Sequence, residues 1–441
     1  MARTAAGLPP GARLTDYISL GVLTTQFPIE TVQEALLSTG RVGVRARDLP
    51  AHVMVYYAIA LALYADVSTR EVLRCLLEGV RWLGDPAGGV EPAGPSGISQ
   101  ARTRLGAEPL EHLYRTVVGP VASATTPGAW YRGRRVMSLD GTTLDVADTR
   151  ANARAFGRPA SARGVNATGA FPQLRLVGLV ETGTHVLCGA QLGPSSTSEP
   201  VLAAAVLPAL TGEMLCLADR GFRGFDLWRT ALATGAALVW RARATLTLPV
   251  LERWADGSYR SELRWNAQCA SRDRPPIPVR VVAYTVTGAT GAPVPYRLVT
   301  NLLEPARAPA PELAALYHER WEIETTFDEF KTHLRGAGRV LRSKTPELVR
   351  QEAWGFLLAH FALRALMHEA ALGAPGPPRD PDTLSFTHAL RVTRRTLPHL
   401  AALPPSGLAA RPSGDSPRTP RRSRPLQPRA RGATRGQTQD E

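Results

Sequence analysis

The chain has 441 residues, 52 of them Lys or Arg against 38 Asp or Glu, for a formal net charge of +14. At roughly 150 residues per domain that length allows two or three domains, and 44% hydrophobic with 20% charged residues excludes a globally disordered chain or a small disulfide scaffold. The charge is uneven: residues 1–130 balance 11 Arg against 11 acids, residues 401–441 carry +5, and the remaining +9 falls to residues 131–400.

In chain order, residues 1–10 lack the apolar stretch of a secretory signal, so a cytoplasmic protein is expected. Residues 1–130 read as an all-α N-terminal domain. Residues 28–37 carry apolar side chains at helical spacing, and 69–80 form a second amphipathic run. Between them, the nearly uncharged run 53–65 is too short for a bilayer span of ~20 residues and reads as a buried core helix, so no membrane association is expected. After the Gly/Pro-rich stretch 84–97, a short helix over 99–105 carries Gln100, Arg102 and Arg104. This helix is a candidate DNA-reading element, with Arg102 as a contact; a solvated helix face is the alternative, because the region has no net charge.

From Arg132 the texture changes to a strand at 136–139, a hairpin of 174–180 with 185–192, a helix at 199–210, a strand at 214–218, a helix at 225–234 and a strand at 237–242. That order is a mixed α/β layout. Residues 244–308 add strand-like pieces at 279–286 and 296–303, among turns bearing Trp254 and Trp265. A long helix over 311–334 follows, then helices over 346–371 and 384–400. The Pro/Arg-rich stretch 401–441 reads as a disordered basic tail that binds phosphates or serves solubility. Cys75, Cys188, Cys216 and Cys269 show no paired spacing, which argues against a zinc module or disulfide framework.

Three acids stand out. Asp140 follows the strand at 136–139 and precedes Gly141, while Asp219 follows the strand at 214–218 and precedes Arg220-Gly221-Phe222. Both carboxylates are expected at the carboxyl edge of the sheet, where open α/β sheets bind ligands, although either alone is as readily a turn. On the helix over 311–334, Tyr317, Arg320, Glu324 and Lys331 project within a stripe roughly 60° wide at about 100° per residue. Beside it runs an apolar stripe of Leu316, Ile323, Phe327, Phe330 and Leu334. A salt-bridged solvent face is the plain alternative. The chain uses 50 Arg but only two Lys, Lys331 and Lys344, so a lysine retained at 331 hints that a compact ammonium suits the position better than a guanidinium fork.

The pattern Tyr317-x2-Arg320-x3-Glu324-x6-Lys331, preceded by Asp140 and Asp219, resembles the Tyr-Arg-Glu-Lys signature of DDE transposases of the insertion-sequence-four type. The resemblance covers about residues 10–400. It implies a ribonuclease-H-like catalytic domain over 131–400 with a β-rich insertion at about 244–308. It also implies Asp140, Asp219 and Glu324 as ligands of two divalent ions, Mg²⁺ or in substitution Mn²⁺. Tyr317, Arg320, Lys331 and Arg220 would contact DNA, and Trp254 and Trp265 are candidates to stack on a flipped base. The implied partners are the double-stranded terminal inverted repeats of an insertion sequence, target DNA and a second protomer in a synaptic homodimer. The implied location is a bacterial cytoplasm, on the nucleoid. The alternative function is a transposase-derived DNA-binding protein without catalysis, a loss that no residue favours.

Overall fold

The computed structural model describes residues 21–43, 49–82, 94–159, 171–265, 274–287, 293–373 and 379–400; the tail over 401–441 and most of the connector at 84–97 lie outside them. Six helices open the chain: α1 (Gly21–Gln26), α2 (Ile29–Ser38), α3 (Ala51–Leu63), α4 (Thr69–Trp82), α5 (Pro95–Leu105) and α6 (Glu108–Val117). The apolar run becomes α3, buried at every residue from Val53 to Leu63. It can be apolar all round because α2, α4, α5 and the long α12 (Pro346–Gly373) surround it.

Helices α3 and α12 touch where Gly355 faces Ala58. A Cβ at Gly355 would stand 2.4 Å from the Ala58 carbonyl oxygen, which is backbone and cannot rotate away. Gly355→Ala should therefore lower stability by about 1–3 kcal/mol in urea unfolding, and a loss below ~0.5 kcal/mol would count against this close approach.

Helix α5 corrects one expectation. Gln100 and Arg104 are exposed, but Arg102 is buried rather than facing DNA. Its Nε donates to Gln351 Oε1 at 2.8 Å and its Nη2 to Ser343 Oγ at 3.0 Å, while Gln351 Nε2 donates back to the Arg102 carbonyl at 2.9 Å. The helix packs against α3 and α12, so this position faces the interior, and oxygen acceptors there make the guanidinium tolerable.

The strands are β1 (Trp130–Tyr131), β2 (Arg134–Asp145), β3 (Gln173–Glu181), β4 (Val186–Pro194), β5 (Met214–Ala218), β6 (Ala237–Arg241), β7 (Glu252–Arg253), β8 (Tyr259–Leu263), β9 (Ile277–Thr287) and β10 (Pro293–Thr300). They form one sheet in the order β4-β3-β2-β5-β6-β10-β9-β8-β7, with β1 beside β2. Strands β2, β5 and β6 run parallel and the other pairings are antiparallel. The parallel steps require crossovers, which α8 (Glu199–Val206) and α9 (Phe225–Leu232) supply, and β5 is buried at all five residues as a central parallel strand should be. The strand-rich segment after residue 244 extends this sheet, because β10 pairs with β6. Elements without a sequence expectation of their own are α1, α6, α7 (Arg150–Phe156), β1, β7 and β8.

The helix expected over 311–334 is interrupted. It comprises α10 (Ala310–His318), a 3₁₀ turn at Glu319–Trp321, α11 (Glu322–Asp328) and a π-helical turn at Glu329–Leu334, before α12 and finally α13 (Phe386–Leu400). Leu313 and Tyr317 pack into a core beneath β5, β6 and β10, whereas Ile323, Phe327, Phe330 and Leu334 join the core shared by β3, β4, α3 and α12. A uniform helix cannot serve two cores that lie in different directions, so the winding tightens and then widens. Among the described residues, no helix is long and apolar enough to cross a membrane.

Candidate active site

The site forms where one strand stops. The last parallel rung between β2 and β5 pairs Leu139 with Ala218, so Asp140 is the next residue on β2 and Asp219 is the first residue beyond β5. Asp140 does not end its strand as expected: β2 continues to Asp145 against β3, with Asp140 opposite Gly178. The carboxyl edge is created by the end of β5, which exposes the outer half of β2.

The broken helix lies along this edge. Arg320 Nη1 donates to Asp140 Oδ2 at 2.9 Å, and its Nη2 stands 3.6 Å from Glu324 Oε1, so one guanidinium spans two of the acids. Lys331 Nζ donates to Thr142 Oγ1 at 3.1 Å, two residues along β2 from Asp140. Tyr317 departs from the expected phosphate contact. It is buried, and its hydroxyl donates to the Ala218 carbonyl at 3.4 Å, immediately before Asp219.

Electrostatics mark the cluster as short of positive charge. Burial raises the Asp140 pKa, the Gly141 N–H and Arg320 oppose that rise, and the Asp219 charge adds to it. Glu324 is likewise raised, by burial first and then by Asp140 and Asp219, against the attraction of Arg320. These carboxylates would share hard oxygen donors with a small divalent cation, which would relieve the repulsion more fully than a single guanidinium. The donor set is therefore chemically suited to a hard divalent cation.

The remaining candidates divide. Arg220 is exposed and lines a cleft of about 850 Å³ together with Arg223, Arg241, Arg243, Trp240 and Trp265. Trp265 is half exposed, with the Arg274 guanidinium 4.7 Å from its ring centre. Trp254 belongs elsewhere in the added strands, beneath Arg280, which is bound to Asp256 and to the Ala308 carbonyl. Sequence reasoning missed Thr142, the partner of Lys331, and Glu199, whose carboxylate lies over Gly141; neither carries a local pattern that would have marked it.

Comparison with known proteins yields consistent likenesses. A family model of the transposase DDE domain matches residues 131–362, and one of the insertion element 4 transposase N-terminal region matches residues 17–115. The chain is 28% identical over 381 residues to the transposase InsG for insertion sequence element IS4 of Escherichia coli K12, covering 85% of this chain and 82% of that one. It is 27% identical over 233 residues to the putative transposase InsZ of the same organism, covering 53% and 71% respectively. A solved piggyBac transposase synaptic complex with hairpin DNA aligns at 10% identity with a TM-score of 0.45, over 93% of this chain and 84% of that one.

Proposed function

The chain belongs to the insertion-element-4 type of DDE transposase, enzymes that cleave DNA and transfer its strands, and on that premise we propose that Asp140, Asp219 and Glu324 are its metal-binding catalytic acids. The reading rests on one observation above all. The Leu139–Ala218 rung sets Asp140 beside Asp219, and Arg320 spans from Asp140 toward Glu324. The order β4-β3-β2-β5-β6, with three antiparallel strands followed by two parallel ones, supports a ribonuclease-H-like core for the catalytic region over 131–400.

When bound, two Mg²⁺ ions would supply Lewis acidity for in-line phosphoryl transfer at both the attacking and leaving oxygens. The protein groups divide the remaining work. Arg320 presents a fork suited to bidentate contact with a phosphate, while Lys331 offers a point charge held in place by Thr142. Tyr317 acts on DNA only indirectly, by bracing the end of β5 that carries Asp219. Arg220 and Trp265 line a basic cleft that can hold a strand and stack a base, whereas Trp254 is engaged within the added strands. Cleavage uses water and joining uses the freed 3′ hydroxyl, so one site serves a cut-and-paste reaction on terminal inverted repeats. The two ends would be held by a homodimer in the bacterial cytoplasm, at the nucleoid. The helical region over 1–130 would contribute to DNA binding through surfaces other than Arg102.

The test is incubation of the purified protein and Mg²⁺ with DNA carrying the element's own ends beside a target plasmid. Cleaved ends and joined product are expected from the wild type, with loss of both in Glu324→Ala. Binding without cleavage by the wild type would overturn the reading. For Lys331, replacement by Ala should weaken end binding across sequences and lower the salt slope of binding by about one unit. An unchanged slope would remove Lys331 from the phosphate contacts.

A further inference from the structure

Helix α8 is pressed closely onto the sheet. A Cβ at Gly193 would come within 2.8 Å of Leu202, and one at Gly189 within 3.2 Å of Val206, so glycines in β4 set the height of the helix. The approach to α8 is fixed as well: Ser195 N–H and Oγ both donate to the Phe156 carbonyl, and Arg175 Nη1 donates to the Thr197 carbonyl at 2.8 Å. The first helical residue is Glu199. Its carboxylate lies over Gly141, where a Cβ would meet Cδ and Oε1 at 2.7 Å, and faces Gly221, where a Cβ would stand 3.7 Å from Oε2. Those glycines are the residue after Asp140 and the second residue after Asp219. Among the described residues, no hydrogen bond or ion pair engages this carboxylate.

We propose that Glu199 is a fourth carboxylate of the metal centre, holding a divalent ion or a water bound to it alongside Asp140 and Asp219. The inference rests on the assignment of those two aspartates as metal ligands. An acid in the first turn of a helix can also serve only to stabilise the helix end. What distinguishes Glu199 is that the sheet beneath it has no side chain at residue 141, so its carboxylate lies over the residue that follows Asp140. Burial raises its pKa, Arg175 opposes the rise, and the charges of Asp140 and Asp219 add to it, which places it within their field. A shared cation would turn that repulsion into attraction.

The experiment measures Mn²⁺ binding to the full-length protein without DNA, by titration calorimetry, alongside the Mg²⁺ concentration that half-saturates cleavage. Glu199→Gln keeps shape and helix length, and should weaken Mn²⁺ binding by at least about tenfold and raise the Mg²⁺ requirement similarly, with end binding unchanged. Gly141→Ala should produce the same shift although Glu199 is present, because its methyl group displaces the carboxylate. Asp219→Asn is the reference. If it abolishes Mn²⁺ binding while Glu199→Gln leaves affinity and Mg²⁺ requirement untouched, Glu199 is only a helix-end acid and the proposal is wrong. If Asp219→Asn itself leaves Mn²⁺ binding intact, the metal-site assignment fails, and the proposal with it.

Discussion

Asp140→Asn is expected to reduce both strand cleavage and strand joining by at least about 10³-fold while leaving binding to element ends intact or tighter. The substitution keeps the shape of the side chain and the bond accepted from the Gly141 N–H at 2.8 Å. It removes one negative charge from a cluster whose other members already repel it. The Arg320 guanidinium, now held by Asp140 at 2.9 Å, would be left with Glu324 alone and become freer to meet a phosphate. Loss of chemistry with retained affinity is therefore the signature to look for, in parallel gel-shift and cleavage assays. Cleavage within tenfold of wild type would exclude Asp140 from the reaction.

Glu329→Gln should produce the largest loss of stability, about 3–5 kcal/mol, because it leaves a buried charge without its partner. Glu329 and Arg364 are both buried, and Arg364 Nε donates to Glu329 Oε2 at 2.9 Å while its Nη2 reaches Oε1. Burial by itself would raise the Glu329 pKa, but the Arg364 charge, helped by His185 and His360, holds it far below the usual carboxylate range. A depressed carboxylate stabilises the fold above its ordinary pKa and loses that contribution as the pH falls. The gap between wild type and variant should thus be full near neutrality and shrink on acidification. Urea unfolding at several pH values checks this, and Glu329→Gln combined with Arg364→Met should recover much of the loss. A neutral single variant would show that the pair contributes nothing.

This network also concerns the site. Glu329 opens the π-helical turn that carries Lys331, and His185 Nε2 lies 3.0 Å from Glu322 Oε2, two residues before Glu324. Glu322, His185 and Asp382 could in principle hold a metal ion. His185 instead lies between the Arg364 guanidinium at Nδ1 and the Glu322 and Asp382 carboxylates at Nε2. The cluster is better understood as scaffolding for the broken helix.

The strands at 214–218 and 237–242, the hairpin and the buried run at 53–65 were legible because parallel and fully buried segments leave unbroken apolar runs in the sequence. Asp140 and Asp219 stood out through their place after such runs, and Glu324 through its spacing on a helix. What periodicity could not reveal was non-local. A uniform 100° projection put Tyr317 on one polar stripe with Arg320 and Glu324, but the helix is rewound by two cores, and Tyr317 turns inward. Arg102 resembled a surface residue until α12 supplied Gln351, 249 residues away. The role of Gly141 appears only when α8 is laid across it.

The core that receives α11 also contains Leu23, Phe27 and Ile59 from the first helices and Leu357 and Leu358 from α12. On the ribosome, the early helices emerge with an apolar surface whose covering helix is not translated until more than 280 residues later. The helix bearing Glu324 is seated on that same surface. A chain that stops before α12 should therefore not assemble the proposed cutting site, and such truncated products should cleave no DNA.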